Sequence, residues 1–334
     1  MKVDAGITSD LDHAGAQARA LEALGYAGLK SIETAHDPFF PLLLAAQNTQ
    51  SVDLITGIAV AFARSPMTLA NVGHDLNAAS KGRLKLGLGS QIRPHIKKRF
   101  SMPWSAPAAR MREFILAMHA IWDTWYEDKP LEFLGKFYTH TLMTPFFSPT
   151  NIEFGRPKVH LAAVGPLMTE VAGEVADGLL VHGFTTEAYL RDVTLPALQR
   201  GFAKAGKSRG DFEIAYPVFS IKGRDEKEIA IETKKMREQI AFYGSTPAYK
   251  PVLDSIGASD IQPELNAMSK QGRWEAMGDV IDDAVLDKFA VAGDAATIGR
   301  EIKSRYGDII DRTSAAYTEL ASDEAQDFIS AVSE

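Results

Sequence analysis

The stretch that decides the fold runs from Lys158 to Val181. It reads Lys158-Val159-His160-Leu161-Ala162-Ala163, then Val164-Gly165-Pro166, then a segment of helical length from Leu167 to Ala176, then Asp177-Gly178-Leu179-Leu180-Val181. Two short apolar runs flank a helix whose opening is marked by Gly165-Pro166. This is a strand–helix–strand unit, and strands alternating with helices argue for a parallel sheet. The same unit repeats in both directions. Toward the N-terminus, strands are expected at Met1–Ile7, Ala27–Ile32, Leu54–Ala61 and Arg83–Leu88. Helices are expected from Asp10 or Asp12 to Leu24, then at Pro41–Gln50, Pro66–Ser80 and Pro107–Trp125, with Gly25 ending the first. Toward the C-terminus, the pattern predicts a helix at Thr186–Ala205, a strand at Phe212–Ile221 and a helix at Asp225–Phe242. A helix at Ala295–Tyr306, a strand at Arg312–Thr318 and a closing helix at Asp323–Val332 follow. Eight such units in 334 residues predict an α/β fold, a (β/α)8 TIM barrel formed as one domain over residues 1–334. The excess length sits in two insertions, about 127–157 after the fourth helix, with room for a small hairpin, and about 243–287 after the seventh.

Composition narrows the chemistry. There is no cysteine, which excludes a disulfide scaffold, a thiol nucleophile and cysteine-ligated metal centres. The net charge is -7, without a long basic stripe, so nucleic acid is not an expected partner. The longest apolar stretches fall far short of the roughly 20 residues that span a bilayer, and Met1–Asp10 lacks the layout of a signal peptide. A cytoplasmic protein with no membrane partner is the expectation.

In a barrel of this kind, reactive residues sit on the loops that follow strands. After strand two stands Glu33-Thr34-Ala35-His36-Asp37-Pro38. His36 is a candidate proton carrier, or else it bonds the backbone while Asp37 caps the next helix. Strand four ends Gly87-Leu88-Gly89-Ser90-Gln91-Ile92, which lacks the third glycine of a dinucleotide fingerprint. Its glycines either admit a flat ligand or ease barrel packing. The cluster Arg93 to Arg99 could receive an anion, or form a solvated helix start. At Gly165-Pro166, the amides of Leu167 and Met168 could point at a phosphate, or the segment is an ordinary turn. Gly57, inside strand three, marks a bulge or a close ligand approach. His13, His74, His119 and His160 fall within elements and read as surface or core residues. There is no His-x-His pair, no Gly-x-Ser-x-Gly elbow and no pair of carboxylates at strand ends. Phe137, Tyr138, Phe146, Phe147, Tyr243, Tyr249 and Trp274 in the insertions either line an aromatic pocket or seal the insertions onto the barrel.

Four of these stretches together resemble the bacterial-luciferase-like monooxygenase superfamily, and within it the oxidoreductases that use the deazaflavin coenzyme F420. They are Ser31–Phe40, Thr56–Pro66, Leu86–Ser90 and Val159–Gly183. The resemblance implies an oxidoreductase that moves a hydride between deazaflavin C5 and a small organic substrate. FMN is the alternative cofactor, in a reduced-FMN monooxygenase, and a non-catalytic flavin-binding barrel is a further alternative. It implies a non-prolyl cis peptide at Gly57-Ile58 backing the ring, with Ala59, Gly89 and Ser90 beside it. The phosphate would meet Gly165, Pro166, Leu167 and Met168, with Ala163, Val164 and Gly183 completing the cofactor wall. His36 matches the histidine kept beside the ring. Several relatives also carry an acid just after the strand-four glycines, where this chain has Gln91, Ile92 and Arg93, so Glu33 is the candidate substitute. Relatives pack early helices into homodimers, which nominates the apolar face near Leu69–Ala79. No metal is implied.

Overall fold

The computed structural model describes residues 1–316 and 320–334. Eight parallel strands close into a barrel: β1 (Lys2–Gly6), β2 (Gly28–Ser31), β3 (Asp53–Thr56), β4 (Leu84–Gly89), β5 (Lys158–Ala163), β6 (Gly178–Val181), β7 (Glu213–Lys222) and β8 (Arg312–Ala316). Each pairs with the next, and β8 returns to β1 through Lys2 opposite Arg312. The barrel, the helices around it and the hairpin in the first insertion are as the sequence pattern predicts. The last two positions expected for strand eight, Tyr317 and Thr318, lie outside the described residues.

Alternation along the strands builds two layers. Val3, Leu29, Leu54, Leu86, Leu88, Val159 and Leu161 face outward and are buried under the helices. The helices are α1 (Leu11–Ala23), α2 (Phe39–Asn48), α3 (Pro66–Ala79), α4 (Pro107–Glu127), α5 (Pro166–Val175), α6 (Leu195–Ala205), α7 (Glu226–Gly244), α8 (Ala295–Tyr306) and a closing α9 (Ser322–Ser333). Their starts follow from local chemistry. Asp10 caps α1 by accepting from Asp12 N–H at 3.0 Å, Ser65 caps α3 from Thr68 N–H at 3.1 Å, and Asp225 caps α7 from Glu228 N–H at 2.8 Å. Gly25 ends α1 at φ +97°.

The inward side chains at the strand starts are charged. Arg312 is fully buried and donates to Asp4 Oδ2 at 3.0 Å, to Asp53 Oδ2 at 2.6 Å and to Glu213 Oε2 at 3.4 Å. Lys85 donates to Glu213 Oε1 at 2.6 Å. These residues come from five strands, and the Arg312–Asp53 and Lys85–Glu213 pairs join strands that are not neighbours, so they meet across the interior. They plug the base of the barrel, and burial beside them holds His160 neutral, with its pKa lowered to about 4.

Three expectations change. Strand three is interrupted: after Thr56 the chain passes through Gly57-Ile58, resumes at Ala59–Val60 against β4, and turns tightly over Ala61–Ala63. The helix expected over Thr186–Ala205 opens into a wide turn at Leu190–Thr194 before α6. The segment 243–287 carries three short helices and leads into a strand missed in the sequence, Ala290–Gly293, which pairs with the far end of β7 at Phe219. With α7 it encloses a second apolar cluster around Phe184, Phe219, Leu253 and Phe289.

Candidate active site

The loops after β2, β3 and β4 meet at the C-terminal mouth of the barrel. Glu33 points inward and is almost fully covered; its Oε2 accepts from Val60 N–H at 2.7 Å and from Arg64 at 2.6 Å. The other arm of Arg64 reaches Asp37 Oδ2 at 2.9 Å. Asp37 Oδ1 also accepts from Phe39 N–H at 2.9 Å and so opens α2. Arg64 therefore grips the loop on both sides of His36, which itself stays exposed. A bidentate cation between two acids is a strong local brace. Arg64 appears in the sequence only as the start of an Arg-Ser-Pro turn, and nothing there pairs it with Glu33.

The Gly57–Ile58 peptide is cis, at the step the resemblance implies. Ala59 is fully buried behind it. Ile58 lies against Gly89, where a Cβ would come within 2.9 Å of two of its side-chain carbons. At Gly87 a Cβ would come to 1.8 Å from the Thr56 carbonyl oxygen, so close approach of β3 and β4 requires this glycine. Ser90 donates to the Gln91 carbonyl at 3.1 Å. Gln91 takes the left-handed conformation at φ +57°, a strained state for a side chain of this kind.

The basic cluster splits. Ile96 is buried and anchors the loop, Arg99 donates to the Thr34 carbonyl, and Lys97 and Lys98 are exposed. It joins the β4 loop to the β2 loop.

After β5, Gly165 begins α5 with no side-chain cap. A Cβ at Gly165 would touch nothing within 4 Å, and Leu167 is 72 % exposed. No side chain caps the amides of Leu167 and Met168 at this helix N-terminus, where an anion is favoured. Val164 holds this turn down by accepting from Tyr189 Oη at 3.1 Å, a brace not singled out in the sequence. Ala163 is half-buried on the same edge. Gly183 sits elsewhere in kind: a Cβ there would come to 2.5 Å from the Phe219 ring, so packing already accounts for it.

His182, the first residue after β6, carries no motif in the sequence, although it stands in a loop that the barrel rule marks. Its Nδ1 accepts from Phe184 N–H at 3.0 Å, which leaves the proton on Nε2. Its ring stacks on Tyr249 at 5.1 Å and meets Tyr243 edge-on at 4.7 Å. Burial lowers its pKa to about 4. It is a neutral hydrogen-bond donor in an aromatic wall. Of the other aromatics expected at a pocket, Phe137 and Tyr138 pack over Arg110 at 4.9 and 5.8 Å, whereas Phe146 and Phe147 are 88 % and 69 % exposed. Trp274 packs on Phe242 at 6.1 Å. The face near Leu69–Ala79 turns Leu69, Ala70 and Leu76 into the chain's own core, so those side chains are not available for another copy.

Among the described residues, no group of three His, Asp or Glu could hold a metal ion, and no helix is long and apolar enough to cross a membrane.

Known proteins share the sequence and the fold. The chain is 52 % identical over 312 residues to an uncharacterized protein of Mycobacterium tuberculosis, covering 93 % of this chain and 92 % of that one. It is 28 % identical over 261 residues to the 5,10-methylenetetrahydromethanopterin reductase of Archaeoglobus fulgidus, covering 75 % and 73 %. Among solved structures, the coenzyme F420-dependent tetrahydromethanopterin reductase of Methanopyrus kandleri superposes with a TM-score of 0.77 at 18 % identity, covering 98 % and 96 %. Residues 2–312 match the sequence profile of the luciferase-like monooxygenases, and the chain belongs to that family of oxidoreductases.

Proposed function

We propose that the chain is an F420-dependent oxidoreductase, transferring a hydride between deazaflavin C5 and a small organic substrate, with the whole chain working as one unit. The observation that carries this reading is the mouth itself. The cis Gly57–Ile58 step, packed on Gly89, stands on one side, and the uncapped amides of Leu167 and Met168 stand on the other. A planar ring with a phosphate-bearing tail fits that pair of features. The similarity to a putative coenzyme F420-dependent oxidoreductase of Mycobacterium tuberculosis, 24 % identical over 297 residues, supports the deazaflavin over FMN.

Bound there, the ring would supply the hydride chemistry. The chain's own residues do the rest. Arg64 clamps Glu33 and Asp37, which fixes the loop carrying His36 at the mouth. His36 holds or delivers the proton that accompanies hydride movement on the substrate. Glu33 positions that loop, and its bound carboxylate fits a bracing part better than a shuttling one. His182 offers Nε2–H to a polar group of the substrate from within the Tyr243 and Tyr249 wall. The substrate is a small molecule, and the enzyme is a cytoplasmic homodimer without a nucleic-acid or membrane partner. Light scattering during gel filtration tests the dimer, and a monomer mass would refute it.

Separate titrations with F420 and FMN, followed by ring fluorescence, test the cofactor. Micromolar binding of F420 is expected; micromolar FMN binding with none of F420 overturns it. The family's own description favours a second reading, a reduced-FMN monooxygenase. Oxygen uptake coupled to FMNH2 oxidation would establish that one.

A further inference from the structure

Lys30 is the inward residue of β2 one step above the charged base. It lies opposite Ile55 on β3. Its stem does not stay at that level. A Cβ at Gly57, two residues nearer the mouth, would come within 2.6 Å of Lys30 Cγ and Cδ and 3.5 Å of Cε. The side chain therefore climbs beside the Gly57–Ile58 step, and glycine at 57 is what leaves it room. Its register partner on β1, Gly6, is exposed, and a Cβ there would meet nothing within 4 Å, so open space reaches this depth of the barrel.

The ammonium has no hydrogen-bond partner and no ion-pair partner among the described residues. The carboxylate whose field it feels, Asp4, has both oxygens taken by Arg312. Burial accordingly pushes the Lys30 pKa down, with Arg312 adding to the effect against Asp4. Lys30 is half-buried, and its ammonium, without a partner beside the Gly57–Ile58 step, is placed to meet a ligand charge.

We propose that Lys30 is a charge-positioning residue for the reduced cofactor, its ammonium facing the ring from beneath the Gly57–Ile58 step. A hydride carries one negative charge to the ring that accepts it, and that charge persists until a proton arrives from elsewhere. A cation held under the ring favours the reduced form over the oxidised one. This inference rests on the cofactor reading above.

The test measures dissociation constants for oxidised and reduced F420, under anaerobic conditions, in the wild type, Lys30→Met and Lys30→Gln. Both variants are expected to weaken reduced F420 at least about tenfold more than oxidised F420, the effect of one partly desolvated charge. Lys30→Met is expected to melt no lower than the wild type, because it removes an unpaired charge. A reduced-to-oxidised ratio within about twofold of the wild type, or a variant that melts far lower, would overturn the proposal. If the wild type binds neither form of F420, the cofactor reading fails by itself. The same ratio measured with FMN and FMNH2 then decides for Lys30, and no binding of either pair sinks both.

Discussion

Replacing Arg312 by Met should be among the most damaging single changes in this chain, and the size of the loss follows from what the guanidinium holds. Burial works against its charge, but Asp4, Glu213 and Asp53 outweigh that and keep it firmly protonated. Without it, Asp53 and Glu213 still have Lys85, at 3.5 and 2.6 Å, and both are partly exposed. Asp4 has nothing: its side chain is 1 % exposed and both of its oxygens lose their donor. Breaking a buried pair from one side costs about 3–5 kcal/mol, chiefly through the orphaned charge. Urea unfolding followed by circular dichroism measures the loss. The double variant Arg312→Met with Asp4→Leu leaves no orphan and should regain more than half of it. A single-variant loss below about 1 kcal/mol, or a double variant no better than the single, would refute the account of the barrel base.

Other outcomes test the mouth and the interior. His36→Ala should cut kcat at least about a hundredfold while cofactor affinity stays within about twofold, and an unchanged kcat removes His36 from proton transfer. Gly87→Ala should cost about 3 kcal/mol or more in urea unfolding, because its Cβ would collide with the Thr56 carbonyl, whereas Gly165→Ala, facing open space, should change stability little. His160 has a folded-state pKa near 4, below its ordinary 6.5, so the folded chain binds fewer protons than the unfolded one between those values. Its contribution is full above pH 6.5 and is lost as pH falls toward 4. Stability measured across that window should fall less steeply in His160→Asn, by up to about 1.4 kcal/mol per pH unit.

The barrel was legible because its signals are local: apolar runs for strands, caps such as Asp10 and Ser65 for helices, and a glycine–proline pair before α5. Ala290–Gly293 escaped because four small apolar residues carry no alternation and sit beside a helical pattern. The break in strand three was visible only as a mid-strand glycine. In the candidate site, the loops could be named from their place after strands, but not the pairing of Arg64 with Glu33 and Asp37. That pairing joins residues about 30 positions apart through side-chain geometry alone. The same reason hid the base. Asp4, Asp53, Lys85, Glu213 and Arg312 each look like the solvated half of an alternating strand, and only closure turns them inward. Lys30 hid in that way too. His182 carried a usable signal, its position directly after β6, but a lone histidine there has no motif to single it out.

The base network also orders events during synthesis. Asp4 leaves the ribosome almost at once, and Asp53 and Glu213 follow, while the guanidinium that neutralises them stands 308 residues after Asp4. Until position 312 emerges, the nascent barrel holds three acids in its floor, Asp4, Asp53 and Glu213, against the two cations Lys2 and Lys85. Vectorial folding can assemble strand–helix units as they appear, but the ring cannot shut around a compensated core before the last strand arrives. A chain stalled short of β8 is therefore an open sheet with a charged inner face, the kind of species that chaperones and proteases recognise as unfinished.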